Sequence, residues 1–407
     1  MKRTPNALLL LIATAIFLAP LNLFLKWGEL NAYVGGIFTD YLVQKLWLSE
    51  IPLLIALLLW LPKKIIQEKS KIISFLKKNK ILLFLLSLLI IRQFFTPLPI
   101  VSFWYLATII ELSLLIWLLR TNQSIINHPL LRQVILLALL LQAGIASLQF
   151  FRQKALFDYA VLGETQLTGA INIANTNFKF GKVILPYGTT AHPNILAGFT
   201  VIFSLSWLQL QANFKKQFGW LELLIVSLSS WVLFLTQSLT AIFAFSLFAI
   251  LQSFPKFQRF GHYLASNLLL LLPLFIFLIP SQWQTESLFR RNFLNVQTLA
   301  VIAEQPITGV GLNMFTTTLK PPITNSNELI RFIQPTHNVP LLLIAETGLL
   351  GLWLIGLLSK KYLLDIEPAW LVLLAVLFSL DHYLITQWVG GIMLALIFTI
   401  NLTKKSQ

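Results

Sequence analysis

Pro335-Thr336-His337-Asn338-Val339-Pro340-Leu341-Leu342-Leu343-Ile344-Ala345-Glu346-Thr347-Gly348-Leu349-Leu350-Gly351 closes a polar segment and opens an apolar one. One titratable imidazole therefore stands where a water-facing loop passes into an apolar run. At about 100° per residue, Gly348 and Gly351 fall within about 40° of His337 on one helical face. That face carries a histidine at its top and bare backbone below, against which another helix can pack closely.

The pattern repeats along the chain. The protein has 407 residues, 57% hydrophobic and only 11% charged, and apolar runs long enough to span a bilayer recur from end to end. This predicts an all-α, polytopic membrane protein of one integral domain (1–407), with no soluble domain of useful size. The absence of cysteine removes disulfide frameworks, thiolate metal sites and a cysteine nucleophile. The formal charge of +15 does not point to nucleic acid. Lys63, Lys64, Lys69, Lys71, Lys77, Lys78 and Lys80 crowd what reads as one short loop between two apolar spans, the mark of positive-inside topology.

About twelve spans are expected, at 7–25, 46–62, 81–95, 100–119, 133–151, 192–210, 220–236, 239–252, 264–280, 337–358, 368–386 and 388–403. The first reads as a retained helix rather than a cleaved signal peptide, because Ala13-Thr14-Ala15 sits inside its apolar run. Alternate threading puts Lys2/Arg3, the lysine cluster, Arg120/Arg132, Lys215/Lys216, Lys256/Arg259, Lys360/Lys361 and Lys404/Lys405 on one side. The loop-charge rule makes that side the cytoplasm and both termini cytoplasmic. Two larger loops, 152–191 and 281–336, then lie outside. In the second, Phe289, Phe293, Val296, Leu299 and Ala303 recur at helical spacing, leaving Arg291, Asn295 and Thr298 on the other face, as expected of a helix lying at the membrane surface. Pro321-Pro322 and Asn325-Ser326-Asn327 read as irregular loop.

The candidate chemistry gathers in these loops. His337 at the boundary can accept a proton near neutral pH, with Asn338 orienting it or a substrate; the alternative is a helix-start residue satisfied by water. Arg290, Arg291 and Arg331 can neutralise a phosphate or diphosphate with forked hydrogen bonds, or snorkel at the interface. Arg152, Lys154, Lys179 and Lys182 add positive charge to the first loop. His192-Pro193 reads as shaping the start of the next helix in preference to a catalytic role for the imidazole, with Asn194 as a polar cap over Leu196, Ala197 and Gly198. Glu286, Glu304 and Glu328 are too scattered for a Mg²⁺ site, so guanidinium would take over a metal's work. Among ionisable residues inside apolar spans, Glu346 lies about 180° around its helix from His337 and reads as protonated or paired between helices, while Asp381-His382 either lines the space beneath the loops or caps its helix. Gly309-Val310-Gly311 lacks the preceding strand and third glycine of a nucleotide loop.

Taken together, His337-Asn338 followed nine residues later by Gly348 and then Gly351, Arg291 ahead of Gln305-Pro306-Ile307-Thr308-Gly309-Val310-Gly311 and Phe315, Tyr187-Gly188-Thr189, His192-Pro193-Asn194 and Asp381-His382-Tyr383 resemble the O-antigen ligase and O-antigen polymerase family of bacterial envelope glycosyltransferases. The likeness covers roughly residues 130–400; the amino-terminal third matches only in hydropathy. It implies a helical enzyme of the bacterial inner membrane, active on the outer side. That enzyme passes a glycan from an undecaprenyl diphosphate carrier to a glycan, lipid or protein hydroxyl, with inversion and with neither metal nor cofactor. His337 would be the general base or acceptor-orienting group, and Arg291, with Arg290, would hold the diphosphate. Two positions depart from the pattern: Leu239 stands where an arginine often follows a serine, and Leu185 where one often precedes Tyr-Gly-Thr. Lys182 or Arg152 are the available substitutes. The rivals are a flippase or exporter of the same lipid-linked sugars, which would show paired broken helices and mid-membrane charge, and an inactive relative. Ligase and polymerase differ only in acceptor.

Overall fold

The computed structural model describes residues 6–168, 173–178, 181–212, 219–254, 256, 260–278, 285–320, 330–362 and 366–400. Lys2/Arg3, Lys179, Lys215/Lys216, Arg259, Glu328, Lys404/Lys405 and the 321–327 loop lie outside them.

The chain is mostly helical. In order it forms α1 (Asn6–Leu18), β1 (Phe24–Trp27), β2 (Tyr33–Val34), β3 (Ile37–Phe38), β4 (Gln44–Trp47), α2 (Glu50–Lys78), α3 (Lys80–Gln93), α4 (Pro99–Thr121), α5 (Gln123–Ile126), α6 (Pro129–Arg152) and α7 (Tyr159–Leu162). There follow β5 (Asn175–Phe178), β6 (Gly181–Ile184), α8 (Pro193–Ala212), α9 (Trp220–Thr236), α10 (Leu239–Ser253), α11 (Gly261–Leu278), α12 (Glu286–Glu304), α13 (Val339–Tyr362), α14 (Pro368–Leu380), α15 (Tyr383–Thr386) and α16 (Trp388–Ile400). Local chemistry sets several boundaries. Pro99, Pro129 and Pro368 open α4, α6 and α14, where a missing N–H costs nothing. Gln153 and Gln237 adopt left-handed backbone, with φ of 53° and 51°, and close α6 and α9.

Among the described residues four helices are long and apolar enough to cross a membrane: 99–121, 129–152, 193–212 and 339–358; shorter apolar helices cover 7–18, 220–236, 239–253, 368–380 and 388–400. Of the four, α8 is 83% buried against 22–44% for the others, so it is the central helix. Phe199 and Phe203 of α8 and Trp370 of α14 are fully enclosed in its surroundings. Outward, large apolar side chains such as Leu58, Trp220 and Leu239 stay exposed, as a lipid-facing surface requires.

Several expectations are corrected. The fold is not purely helical: β1 pairs antiparallel with β4, β2 with β3 and β5 with β6. Hydropathy passes over the 24–47 segment because backbone pairing, Phe24 opposite Trp47 through Trp27 opposite Gln44, organises it rather than an apolar run. The first helix ends at Leu18, ahead of Pro20, and the predicted second span starts as strand β4 before α2 begins at Glu50. The clustered lysines sit on helix rather than loop, since α2 runs through Lys78 with an irregular residue at Glu68, and Lys64 pairs with Glu68 at 3.1 Å one turn on. Two predicted spans are interrupted: α13 at Gly348 (φ 61°, ψ −161°), and the 368–386 span after Leu380, with Asp381 in extended backbone. What packs on the Gly348 face is therefore a turn rather than a helix. The Leu349 and Leu350 N–H groups donate to the Pro306 and Ile307 carbonyls, and those of Val310 and Gly311 to Ala345 and Glu346. A Cβ at Gly309 or Gly348 would strike the opposing backbone. Arg92 closes the joint by donating to the Gly309 carbonyl through Nε (3.2 Å) and its terminal nitrogen (3.0 Å). This assigns Gly309-Val310-Gly311 a packing role.

Candidate functional site

One large cavity of about 880 Å³ opens where β1–β4, the starts of α4, α8 and α16, the end of α9, α12 and the 331–337 segment converge. His337, Arg290, Arg291, Arg331, His192 and Asn194 all line it. Residues nearly 150 positions apart in sequence thus share one space.

The approach to His337 is fastened from three sides. Thr336 Oγ1 donates to Asn295 Oδ1 of α12 (2.8 Å), Thr39 Oγ1 donates to the Ile333 carbonyl (3.3 Å), and Asn313 Nδ2 donates to the Tyr41 carbonyl (2.7 Å). α12 itself has the predicted two faces: Asn295 and Thr298 are buried, whereas Phe289, Val296 and Leu299 are exposed. Its Phe289 and Phe293 rings meet Phe332 edge-on, at 6.3 and 5.3 Å.

Behind His337 lies a compact polar group. His337 Nδ1 faces Asp381 Oδ1 at 3.6 Å, and the His337 and His382 rings stand 4.9 Å apart. Asp381 accepts hydrogen bonds from the His382 N–H (2.8 Å) and from Asn194 Nδ2 (3.1 Å). His382 Nδ1 bonds Thr386 Oγ1 at 2.7 Å, and Tyr41 lies edge-on to the His382 ring. Asp381 thus sits behind the imidazole. The end of α14 at Leu380 shapes this arrangement: Asp381 lies in extended backbone and meets Asn194 at the start of α8. Tyr383 then packs over Gly198, where a side chain would collide with its hydroxyl.

These groups lie outside the spanning helices, and their proton affinities follow from enclosure. Burial, aided by Arg291 and Arg290 and opposed by Asp381, pushes the His337 pKa below that of ordinary imidazole, so the ring is neutral at neutral pH. Burial lowers His192 to about 4 and His382 to about 3. For Asp381 burial acts upward, but its contact with His337 and the charge of Arg291 outweigh it and hold the carboxylate ionised. Burial also lowers Arg291, against the pull of Asp381, yet a guanidinium stays cationic at physiological pH. Its Nε is enclosed without a hydrogen-bond partner among the described residues. Arg290 and Arg331 share Glu286 Oε1, at 3.4 and 2.6 Å.

Other sequence candidates fall elsewhere. Asn338 is buried and caps α13, its Oδ1 accepting from the Leu341 N–H (2.9 Å), so it orients the helix beneath His337 rather than facing the cavity. Arg152, at the end of α6, and Lys182, in β6, line no part of the cavity among its described residues. Leu185, one of the two positions that depart from the family pattern, does line the cavity. Leu239 is 80% exposed, and Gln237 is the residue of that junction facing inward. His192 shapes the helix start, its Nδ1 accepting from the Asn194 N–H (3.1 Å), and its ring also borders the cavity. Glu346 is buried away from His337, its Oε1 accepting from the Phe315 N–H at 3.4 Å.

Two sets of residues escaped sequence reasoning. Asp40, Tyr41 and Lys45, from the segment between α1 and α2, line the cavity. Gln142 and Gln149 of α6 hold the Tyr187-Gly188-Thr189 loop: Gln149 Oε1 accepts from the Tyr187 and Gly188 N–H groups (3.0 and 2.8 Å), and Gln142 Oε1 from Thr189 N–H (2.9 Å). Two glutamines seven residues apart in an apolar run were the available signal.

His337, Asp381 and His382 offer donor atoms within 4.8 Å of one another, close enough to share an ion. The charge of Arg291 bears on all three groups and disfavours a dication among them. The same electrostatics suit an anion in the adjoining cavity. No family model matches the chain, and no curated protein sequence matches it.

Proposed function

We propose that the protein is a membrane-embedded glycosyltransferase that moves a glycan from a polyprenyl diphosphate carrier to a hydroxyl acceptor. The observation that carries this reading is one cavity lined jointly by an enclosed neutral imidazole with a carboxylate behind it and by three guanidinium groups. A base next to an anion-binding pole suits attack on a carbon whose leaving group is a diphosphate. With Nδ1 of His337 turned to Asp381, its other ring nitrogen is the one available to the acceptor hydroxyl.

In the proposed step the acceptor oxygen forms a bond to the anomeric carbon, and the bond from that carbon to the diphosphate oxygen breaks. The hydroxyl proton goes to His337, and the bonding pair leaves with the carrier diphosphate. Arg291, Arg290 and Arg331 hold that charge, which makes the step independent of metal; one direct displacement inverts the anomeric centre. The twelve-span count, the cytoplasmic termini, the outward-facing cavity and residence in a bacterial inner membrane belong to this proposal, supported by the one-sided lysines of α2 and the apolar helices. Acceptor identity, and with it ligase or polymerase, is left to assay.

One observation favours the rival transporter: helix breaks at Gly348 and Asp381 on adjacent elements. Proteoliposomes loaded with lipid-linked glycan separate the two readings. The enzyme forms a new glycosidic bond, and His337→Ala abolishes it while the variant inserts and unfolds like the parent. Bond formation at the parental rate by His337→Ala refutes the assignment, and flipping without any bond formation establishes transport.

A further inference from the structure

We propose that the cavity wall built by residues 24–47 and α4 is a subsite for a sugar ring, in which Phe24, Trp47 and Trp104 supply the stacking surface and Asp40 and Lys45 the hydroxyl partners. The proposal rests on the glycan-transfer reading of the same cavity and assigns function to a segment outside the family likeness.

All five side chains line the cavity. Phe24 and Trp47 face each other across the β1–β4 pair, ring centroids 4.8 Å apart and edge-to-face, and Trp104 meets Trp27 in the same manner at 4.7 Å. Lys45 Nζ lies 4.7 Å from the Phe24 ring centroid and 3.8 Å from Asp40 Oδ1. Trp104 Nε1 donates to the Lys45 carbonyl at 3.2 Å, which fixes the lysine backbone against α4. Burial lowers the Lys45 pKa, a sign that its ammonium is poorly hydrated and gains from a new acceptor. The Asp40 side chain is 61% exposed and open to donors.

This composition differs from that of the arginine pole. An anion would be repelled by Asp40, and an isoprenoid would leave the Asp40–Lys45 pair stranded in hydrocarbon. A pyranose presents an apolar C–H face to aromatic rings and a rim of hydroxyls to a carboxylate and an ammonium, so it satisfies both halves of the wall. The wall is also registered to the reacting end. Thr39 bonds the Ile333 carbonyl and Tyr41 abuts His382, so Asp40 lies between two residues anchored beside the histidines.

The test uses the full chain in nanodiscs with two kinds of probe: the disaccharides chitobiose, maltose and lactose, and inorganic pyrophosphate, read by tryptophan fluorescence and saturation-transfer NMR. At least one disaccharide is expected to bind the parent at millimolar concentration. Asp40→Asn and Lys45→Met should each weaken that binding about tenfold, the scale of one hydrogen bond to a charged group, with pyrophosphate affinity within about twofold of parental. Arg291→Ala should do the reverse. The subsite is overturned if no disaccharide binds the parent, or if both wall variants bind it as the parent does. If the parent itself binds no pyrophosphate while its sugar binding is weakened by Asp40→Asn, the anion pole falls and the subsite stands. In a transfer assay the bound disaccharide competes with the donor if the ring belongs to the carrier-linked glycan, and with the acceptor otherwise; inhibition of neither overturns the proposal.

Discussion

Asp381→Asn isolates the positioning role assigned to the carboxylate behind His337. The substitution keeps the side chain's size and removes its charge. If His337 takes a proton in the transfer step, the resulting imidazolium is stabilised by the Asp381 charge at 3.6 Å. At an effective dielectric of about 20 to 40, that interaction amounts to about 2–5 kcal/mol. Its loss therefore lowers kcat by roughly two to three powers of ten, with little change in donor KM, because the charge develops only during reaction. The pH dependence has a definite sign. Burial already places the His337 pKa below that of ordinary imidazole, so the acid limb of the parental profile lies below the ordinary value of 6.5. Removing the carboxylate disfavours the protonated ring further, so in Asp381→Asn the limb moves to still lower pH and the plateau above it drops. Transfer of a fluorescent lipid-linked glycan in proteoliposomes measures both, with thermal unfolding in detergent as the check on folding. A variant within about twofold of parental kcat, or one whose acid limb moves upward, refutes the reasoning.

Arg291→Ala removes a guanidinium enclosed at the cavity wall and should reduce kcat/KM for the donor about 10- to 100-fold, whereas Arg291→Lys, which retains charge but not the fork, should lose less; equal losses in both would argue against charge neutralisation. EDTA is expected to leave transfer unchanged under the proposed guanidinium-based mechanism; a sharp loss restored by Mg²⁺ or Zn²⁺ would put an ion at His337, Asp381 and His382 instead. Gly348→Ala forces a Cβ into backbone at φ 61° against the Ile307 carbonyl, and should cost about 1–3 kcal/mol from backbone strain alone. Thermal unfolding measures that loss, and an unchanged melting temperature would show that the break is not required.

The apolar runs were legible as helices because their length and hydropathy are local properties: residues 220–236 were delimited from sequence to the residue, and α8, α10 and α13 to within a few. The candidate groups of the second large loop were legible too. His337, Arg290, Arg291 and Arg331 stand out as charge bordering apolar segments, and the structure brings them to one cavity. What stayed hidden depends on distant partners. The β1–β4 pair carries no apolar run, so Asp40 and Lys45 gave no signal until backbone pairing folded them over α4. Helical spacing placed Gly348 and Gly351 on the His337 face, but the Pro306–Gly311 turn imposes a break at Gly348 that no count at 100° per residue contains. Likewise Asp381 could equally have capped its helix. Only the end of α14 at Leu380, the hydrogen bond from Asn194 on the central helix and the approach of His337 from α13 put the carboxylate behind the imidazole. Hydropathy and charge act residue by residue and are written in the chain; the meeting of three separate helices at one carboxylate is a property of packing, and exists only once the bundle has closed.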